Sequence, residues 1–260
     1  MRTQTIAARL SLAAFIAALL ICLTAAFGTR FGYWPFATGL RILKPGVAVG
    51  AAAAVAGAVW LALALRNNDS RGWRRGFAGL IGAIVLLYFP VSAEMRAWKA
   101  PPIHDISTDV EYAPPFKALL PLRKGATNGP EYDGPRKVVL KGRITTVAEL
   151  QKLSYPDIKP VAKLLNPRGD PKIHPQSVLF WRAFERAKSM GWNIVAFDPK
   201  AGTIEATDTT LWFGFTDDIA IRVLPAGTLG AKLDIRSKSR EGAFDYGRNA
   251  ERIEDYIKGL

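Results

Sequence analysis

GVAVGAAAAVAGAVWLALAL, from Gly46 to Leu65, runs for 20 residues without an Asp, Glu, Lys or Arg. A helix rises about 1.5 Å per residue, so this run spans the roughly 30 Å hydrocarbon layer of a bilayer. Two similar runs flank it: Leu10–Phe27 with 18 residues and Phe77–Ala93 with 17. After Ala93 no charge-free stretch exceeds nine residues. Residues 1–93 therefore read as a membrane module, with spans at about 10–27, 46–65 and 77–93, and the remainder as water-soluble.

The net charge of +13 divides unevenly along the 260 residues. Residues 1–93 hold nine Lys/Arg against Asp69, a net +8, while residues 94–260 hold 26 against 21, a net +5. Most of the excess flanks apolar spans, where basic residues set orientation and meet anionic lipid. No basic patch with interleaved aromatics marks the soluble half, so nucleic acid is not an expected partner. Arg66, Arg71, Arg74 and Arg75 in the second loop join Arg2 and Arg9 in the N-terminal tail; the first loop carries only Arg30, Arg41 and Lys44. The positive-inside rule then puts the N-terminus in the cytoplasm and the C-terminal domain across the inner membrane, in the periplasm. A cleaved signal peptide is the rival reading of the first run, with Thr24-Ala25-Ala26 as cleavage site. Both readings leave the C-terminal domain outside.

Gly46, Gly50, Ala54 and Ala58 recur every four residues along the second span. Small side chains let helices approach closely in lipid. The stripe is expected to pack on the other two spans, with homo-oligomerisation as the alternative. No ionisable residue lies within a span, so intramembrane proton relays lack their usual parts. Cys22, the only cysteine, lies in the first run; the soluble half therefore has no disulfide, thiolate metal site or Cys nucleophile. No cofactor or metal is expected.

Residues 101–175 hold 12 of the 17 prolines. Lys99–Arg136 therefore reads as mostly extended chain, with an exposed loop over Gly125–Gly134. Residues 94–143 form a connector and 144–260 a domain, with 101–116 packing on it. Thr146 and Glu149 have capping-box spacing for a short helix that stops before Tyr155-Pro156.

From Pro175 the pattern becomes regular. Phe180, Ala183, Phe184 and Ala187 predict a helix over Pro175–Met190, with His174 at its boundary and Gly191 as terminator. Four strands follow: Trp192–Phe197, Gly202–Thr207, Asp218–Leu224 and Ala231–Ser237. Ile219, Ile221 and Val223 alternate with polar residues, as do Leu233 and Ile235, which predicts an antiparallel sheet with one buried side. A last helix near Asp245–Lys258 brings Ala250, Ile253 and Ile257 to one stripe. The fold class is α+β: three transmembrane helices, then a two-layer domain of helix, four-stranded antiparallel sheet and helix.

Several polar clusters recur in a known pattern. They are Ile103-His104-Asp105-Ile106-Ser107-Thr108-Asp109; Tyr155-Pro156-Asp157; Gly191-Trp192; Phe213-Gly214-Phe215 with Asp217-Asp218; and Ile221-Arg222-Val223. They continue through Asp234, Arg236-Ser237, Ser239-Arg240, Gly242, Asp245, Gly247, Asn249 and Arg252-Ile253. With these the chain resembles the family known as domain of unknown function 1499 over residues 101–260. Pro121–Arg143 departs from the family and reads as an insertion. The resemblance implies a membrane-anchored member and supplies no reaction.

Candidate chemistry is sparse. His104 beside Asp105 and Asp109 has the makings of a general base or pH switch, although Ser107, Thr108 and Asp109 equally suit turns. Arg236, Ser237, Ser239 and Arg240, with Asp245 and Asn249 at the last helix, form a candidate anion site. Its structural counterpart has Asp245 capping that helix and Arg236 pairing with Glu205 or Asp234. Asp217-Asp218 reads as a turn before a strand, and Trp212, Phe213 and Phe215 as core packing over a sheet edge. No catalytic residue and no metal ligand is assigned. The expected protein displays a non-catalytic domain that binds an envelope component, a protein partner or an anionic ligand. The alternative is a hydrolase-like enzyme using His104 with Asp105 or Asp109, and Arg236 with Arg240.

Overall fold

The structure, a computed structural model, describes residues 2–140, 142–170 and 172–260. It divides into two compact units: Met1–Met95 with Thr210–Gly214, and Arg96–Thr209 with Phe215–Leu260.

The first unit is built on α1 (Arg2–Arg30), α2 (Phe36–Arg66) and α3 (Trp73–Lys99). All three are long and apolar enough to cross a membrane. They meet through small residues. A Cβ on Gly46 would stand 2.7 Å from Cys22 Sγ of α1, and one on Gly50 3.3 Å from Leu87 of α3. At Gly57 it would meet both neighbours, Leu80 Cβ at 2.7 Å and Ser11 Oγ at 2.8 Å. The buried stripe of α2 runs Gly46, Gly50, Ala53, Gly57, Trp60, so it leaves the expected ladder. Ala54 is half-buried and Ala58 exposed. A step of four residues overshoots one turn by about 40°, and a contact line must alternate fours with threes. Ser11 Oγ donates to the Ala53 carbonyl at 2.9 Å, so the hydroxyl is satisfied inside the bundle.

Trp212 does not pack into a sheet core as the sequence suggested. Leu211 and Trp212 are exposed, and the Trp212 ring meets Phe27 of α1, centroids 6.0 Å apart. The segment Thr210–Gly214 groups with the helical unit, so these side chains lie beside α1.

The second unit centres on a six-stranded antiparallel sheet ordered β1-β8-β7-β6-β5, with β4 also on β8. Four of its strands are the predicted ones, with the first of them at one edge: β5 (Asn193–Asp198), β6 (Thr203–Thr209), β7 (Thr216–Ala226) and β8 (Gly230–Ser239). Two short strands share the outer edge of β8: β1 (Asp105–Ser107) beside Arg236–Lys238, and β4 (Val161–Leu164) beside Gly230–Leu233. A hairpin of β2 (Lys137–Leu140) and β3 (Arg143–Thr146) leads into α4 (Val147–Ser154). There the capping box forms, with Thr146 Oγ1 accepting from Glu149 N and Glu149 accepting from Thr146 N.

Register sorts the sheet into two faces. Ile106, Ser237, Ile219 and Ala206 stand abreast, as do Ile235, Ile221 and Ile204. This face packs on Leu179, Phe180, Ala183 and Ala187 of α5 (Pro175–Ser189) and on Ala250, Ile253 and Tyr256 of α6 (Arg248–Lys258). α5 begins with Pro175 after His174 and ends at Gly191, whose φ of +75° a glycine adopts without Cβ strain. Tyr256 donates its hydroxyl to the Ala183 carbonyl at 2.8 Å and stacks on Trp192.

The opposite face overturns an expectation. It carries Glu205, Ala220 and Arg236 abreast, then Asp105, Lys238 and Asp218, then Arg222 and Asp234. Such alternation suggested a solvated side, yet Asp105, Asp218 and Asp234 are 0% exposed and Arg236 and Lys238 1%. Residues 111–133 lie across them as a strap. The segment read as an exposed loop, Gly125–Gly134, is exposed at Gly125, Thr127, Gly129 and Glu131 and also forms part of this cover, with Asn128 and Asp133 half-buried and Gly134 buried. Phe116 and Leu119 pack on Ala220, and the Glu205 carboxylate accepts the N–H groups of Lys117, Ala118 and Leu119 at 2.9–3.0 Å. Three N–H donors at a tight turn would otherwise be orphaned against the sheet.

Candidate functional site

β8 aims Arg236 and Lys238 at the strap by period-two alternation, and Arg240 follows one residue past its end. Arg236 forks onto Asp105 of β1, Nε to Oδ1 and Nη2 to Oδ2, both 2.9 Å. Its remaining donors meet the carbonyls of Pro114, Pro130 and Glu131, and its guanidinium lies 4.3 Å from the Phe116 ring centroid. The predicted partners Glu205 and Asp234 are engaged elsewhere. Glu205 caps the Lys117–Leu119 turn, and Asp234 accepts from Arg222 at 2.9 Å. Asp105 wins because β1 pairs directly beside Arg236–Lys238.

Lys238 Nζ donates to the Glu131 carbonyl at 2.6 Å and to Asp133 at 3.1 Å, and lies 3.4 Å from Asp105. Arg240 pairs with Asp218 at 2.7 Å, and Arg123 of the strap reaches the same carboxylate. Arg123 Nη2 also donates to Asn128 O at 2.8 Å, while Asn128 Nδ2 donates to the carbonyls of Ser239 and Gly242. Asp217-Asp218 is therefore not a turn. Both residues open β7, point to opposite faces and are ion-paired there, since a strand start beside three arginines neutralises them.

His104 is held apart from Arg240. Its Nε2 is 2.9 Å from Asp133 Oδ2 and its Nδ1 2.9 Å from the Ala243 carbonyl. Both neighbours are acceptor oxygens, so whichever ring nitrogen carries a hydrogen finds a partner. Burial pushes the Asp133 carboxyl up, but the hydrogen bond to His104 and the Lys238 ammonium outweigh it, leaving Asp133 well below the usual carboxylate range. Asp109 sits at a third place. There it accepts from Glu111 N and Tyr112 N and faces Lys232 Nζ at 3.2 Å.

On the helical face, Ser237 donates to Asn249 Oδ1 at 2.6 Å, and Asn249 Nδ2 donates to the His104 carbonyl and to Ser239 Oγ. Arg252 joins them, donating to Ser237 Oγ, to Asn249 Oδ1 and to the carboxylates of Asp208 and Asp217. Asp245 accepts from Gly247 N at 2.9 Å and Asn249 N at 2.8 Å; the helix starts at Arg248 with Gly247 at its N-cap position, so Asp245 satisfies a first-turn N–H from two residues before the cap. Burial raises its carboxyl pKa against those two hydrogen bonds.

The candidate residues thus fall into separate groups on two sheet faces. Arg236 and Asp105 come together; Ser237, Ser239, Asn249 and Asp245 come together; Arg240, His104 and Asp109 each answer a different partner. Sequence reasoning passed over Asp133, Lys238, Arg123 and Asn128. The available signal was the run of cations at 236, 238 and 240 on one face of a strand, which calls for facing acids. Among the described residues no group of three or more His, Cys, Asp or Glu is placed to hold a metal ion.

The architecture defines a class: an α+β domain with an internal ionic layer, in a chain whose N-terminal helices fit a membrane anchor. Residues 145–260 match a family described as protein of unknown function (DUF1499). No curated protein matches the chain.

Proposed function

We propose that this protein is a multi-pass inner-membrane protein that displays a non-catalytic binding domain in the periplasm, for an envelope component or protein partner. The observation that carries it is the commitment of the candidate polar groups to internal partners. Arg236 with Asp105, Lys238 with Asp133 and Arg240 with Asp218 neutralise one another beneath the strap. Groups so engaged build a fold; a catalytic pair needs access to one substrate. The hydrolase reading would have His104 and Arg240 face a common ligand, whereas their side chains answer different carboxylates. The spans' charge asymmetry supports the periplasmic orientation. The small stripe of α2 is read as serving the chain's own helices, since Gly46 and Gly50 lie against Cys22 and Leu87.

Paired reporter fusions at Leu260 test the orientation. Alkaline phosphatase, active only after export, should be active there, and a cytoplasm-dependent fluorescent protein should be dark. The reverse pattern refutes the periplasmic assignment.

A further inference from the structure

Asp208 and Asp217 enclose eight residues without a charge, TTLWFGFT, from the last residue of β6 to the first of β7. Within the first unit the middle of this segment lies against the C-terminal end of α1. Arg30 Nη1 donates to the carbonyls of Thr210 and Leu211, both at 2.8 Å, and Trp212 meets Phe27. Yet Leu211 is 69% and Trp212 46% exposed.

Phe27 stands three residues before Arg30, the first charge after the first apolar run, and so lies near the depth at which hydrocarbon gives way to headgroups. The same end carries other exposed aromatics, Phe31 at 67% and Tyr33 at 79%, with Phe31 stacked on Phe27 at 5.9 Å. Tryptophan and tyrosine concentrate at that level of a bilayer, their rings apolar and their polar tips wet. A loop entering it must keep its carbonyls hydrogen-bonded, because lipid offers them no donors. Arg30 does this for two successive carbonyls, those of Thr210 and Leu211.

We propose that Leu211 and Trp212 insert into the phospholipid headgroup–acyl boundary beside α1, forming a second, loop-borne membrane contact. The occupant is lipid because the exposed side chains continue the aromatic rim of a span. The proposal rests on the membrane reading of α1 and adds to it.

The test uses full-length protein in phospholipid nanodiscs, in a Cys22→Ala background. A polarity-sensitive dye is attached at Leu211→Cys, at Trp212→Cys and, as a span calibrant, at Ile16→Cys. Nitroxide-labelled lipids and aqueous iodide serve as quenchers. The expected result is loss of emission at 211 and 212 with shallow-nitroxide lipid and protection from iodide, with Ile16 quenched by deep-nitroxide lipid. If Ile16 is quenched by deep lipid while 211 and 212 answer only to iodide, the loop proposal falls and the span stands. If Ile16 itself answers to iodide alone, the membrane reading fails, and the loop proposal with it. Two labelled loop positions guard against one substitution disturbing the turn.

Discussion

The guanidinium of Arg236 is surrounded by five acceptor oxygens: both of Asp105 and the carbonyls of Pro114, Pro130 and Glu131. Removing one member of a buried pair costs about 3–5 kcal/mol, because the survivor keeps its desolvation penalty without its partner. Asp105→Asn should therefore destabilise the domain by that order in chemical denaturation. Replacing both members, Asp105→Leu with Arg236→Met, should cost clearly less than the two single changes together. Simple additivity in that cycle would refute the coupling. Asp133 gives a pH signature. Its carboxyl is held below the ordinary range, so its contribution is full above the unfolded-state pKa near 3.9 and is lost as pH falls through the folded value. The groups that hold it are His104, Lys238 and, at 3.4 Å, Arg136. Asp133→Asn should flatten the acid side of the stability curve while leaving its neutral side lower; an unchanged acid slope would exclude Asp133 as its source.

At the scale of elements, α2 separates two kinds of small residue. Gly57→Leu forces a side chain into Leu80 and Ser11, whereas Ala58→Leu points away from both neighbours. The first should lower the detergent-solubilised melting temperature and the second leave it near the parent value; equal effects would sink the packing line drawn here. At α4, Thr146→Ala removes the acceptor of Glu149 N and should cost about 1 kcal/mol. Periodicity made these elements legible. Apolar runs reported the spans, threes and fours reported α5, and alternation reported β7 and β8. Alternation reports polarity, though, and not exposure. Arg222, Asp234 and Arg236 alternate with Ile and Val identically whether they meet water or a second ionic layer. The strap was illegible for a different reason. Several of its bonds to the sheet run through backbone carbonyls, at Pro114, Pro130 and Glu131, and every residue type carries one of those. Proline density marked the segment as irregular but could not say what it covers.

At the scale of the molecule, the family match and the folded unit do not coincide. The match covers residues 145–260, while the second unit begins at Arg96. The 49 residues between include Asp105, Phe116, Arg123, Glu131 and Asp133, the groups that neutralise and cover one face of the sheet. A fragment beginning at residue 145 would keep Arg236 and Lys238 on β8 but lose both carboxylates that pair with them. Each uncompensated buried cation costs several kcal/mol, and a domain of this size has only about 5–15 kcal/mol of net stability. Exposing the face to water would relieve the charge but uncover Ala220 and Val195, which Phe116 and Leu119 now shield. The fragment 96–260 should therefore unfold cooperatively and give dispersed amide resonances, and the fragment 145–260 should do neither. Adding a synthetic peptide of residues 100–136 should restore dispersion to the shorter fragment in a concentration-dependent way, because binding stabilises only the folded form. A well-dispersed spectrum from residues 145–260 alone would show that the ionic layer is dispensable. The strap would then be an ornament on the sheet instead of its second wall.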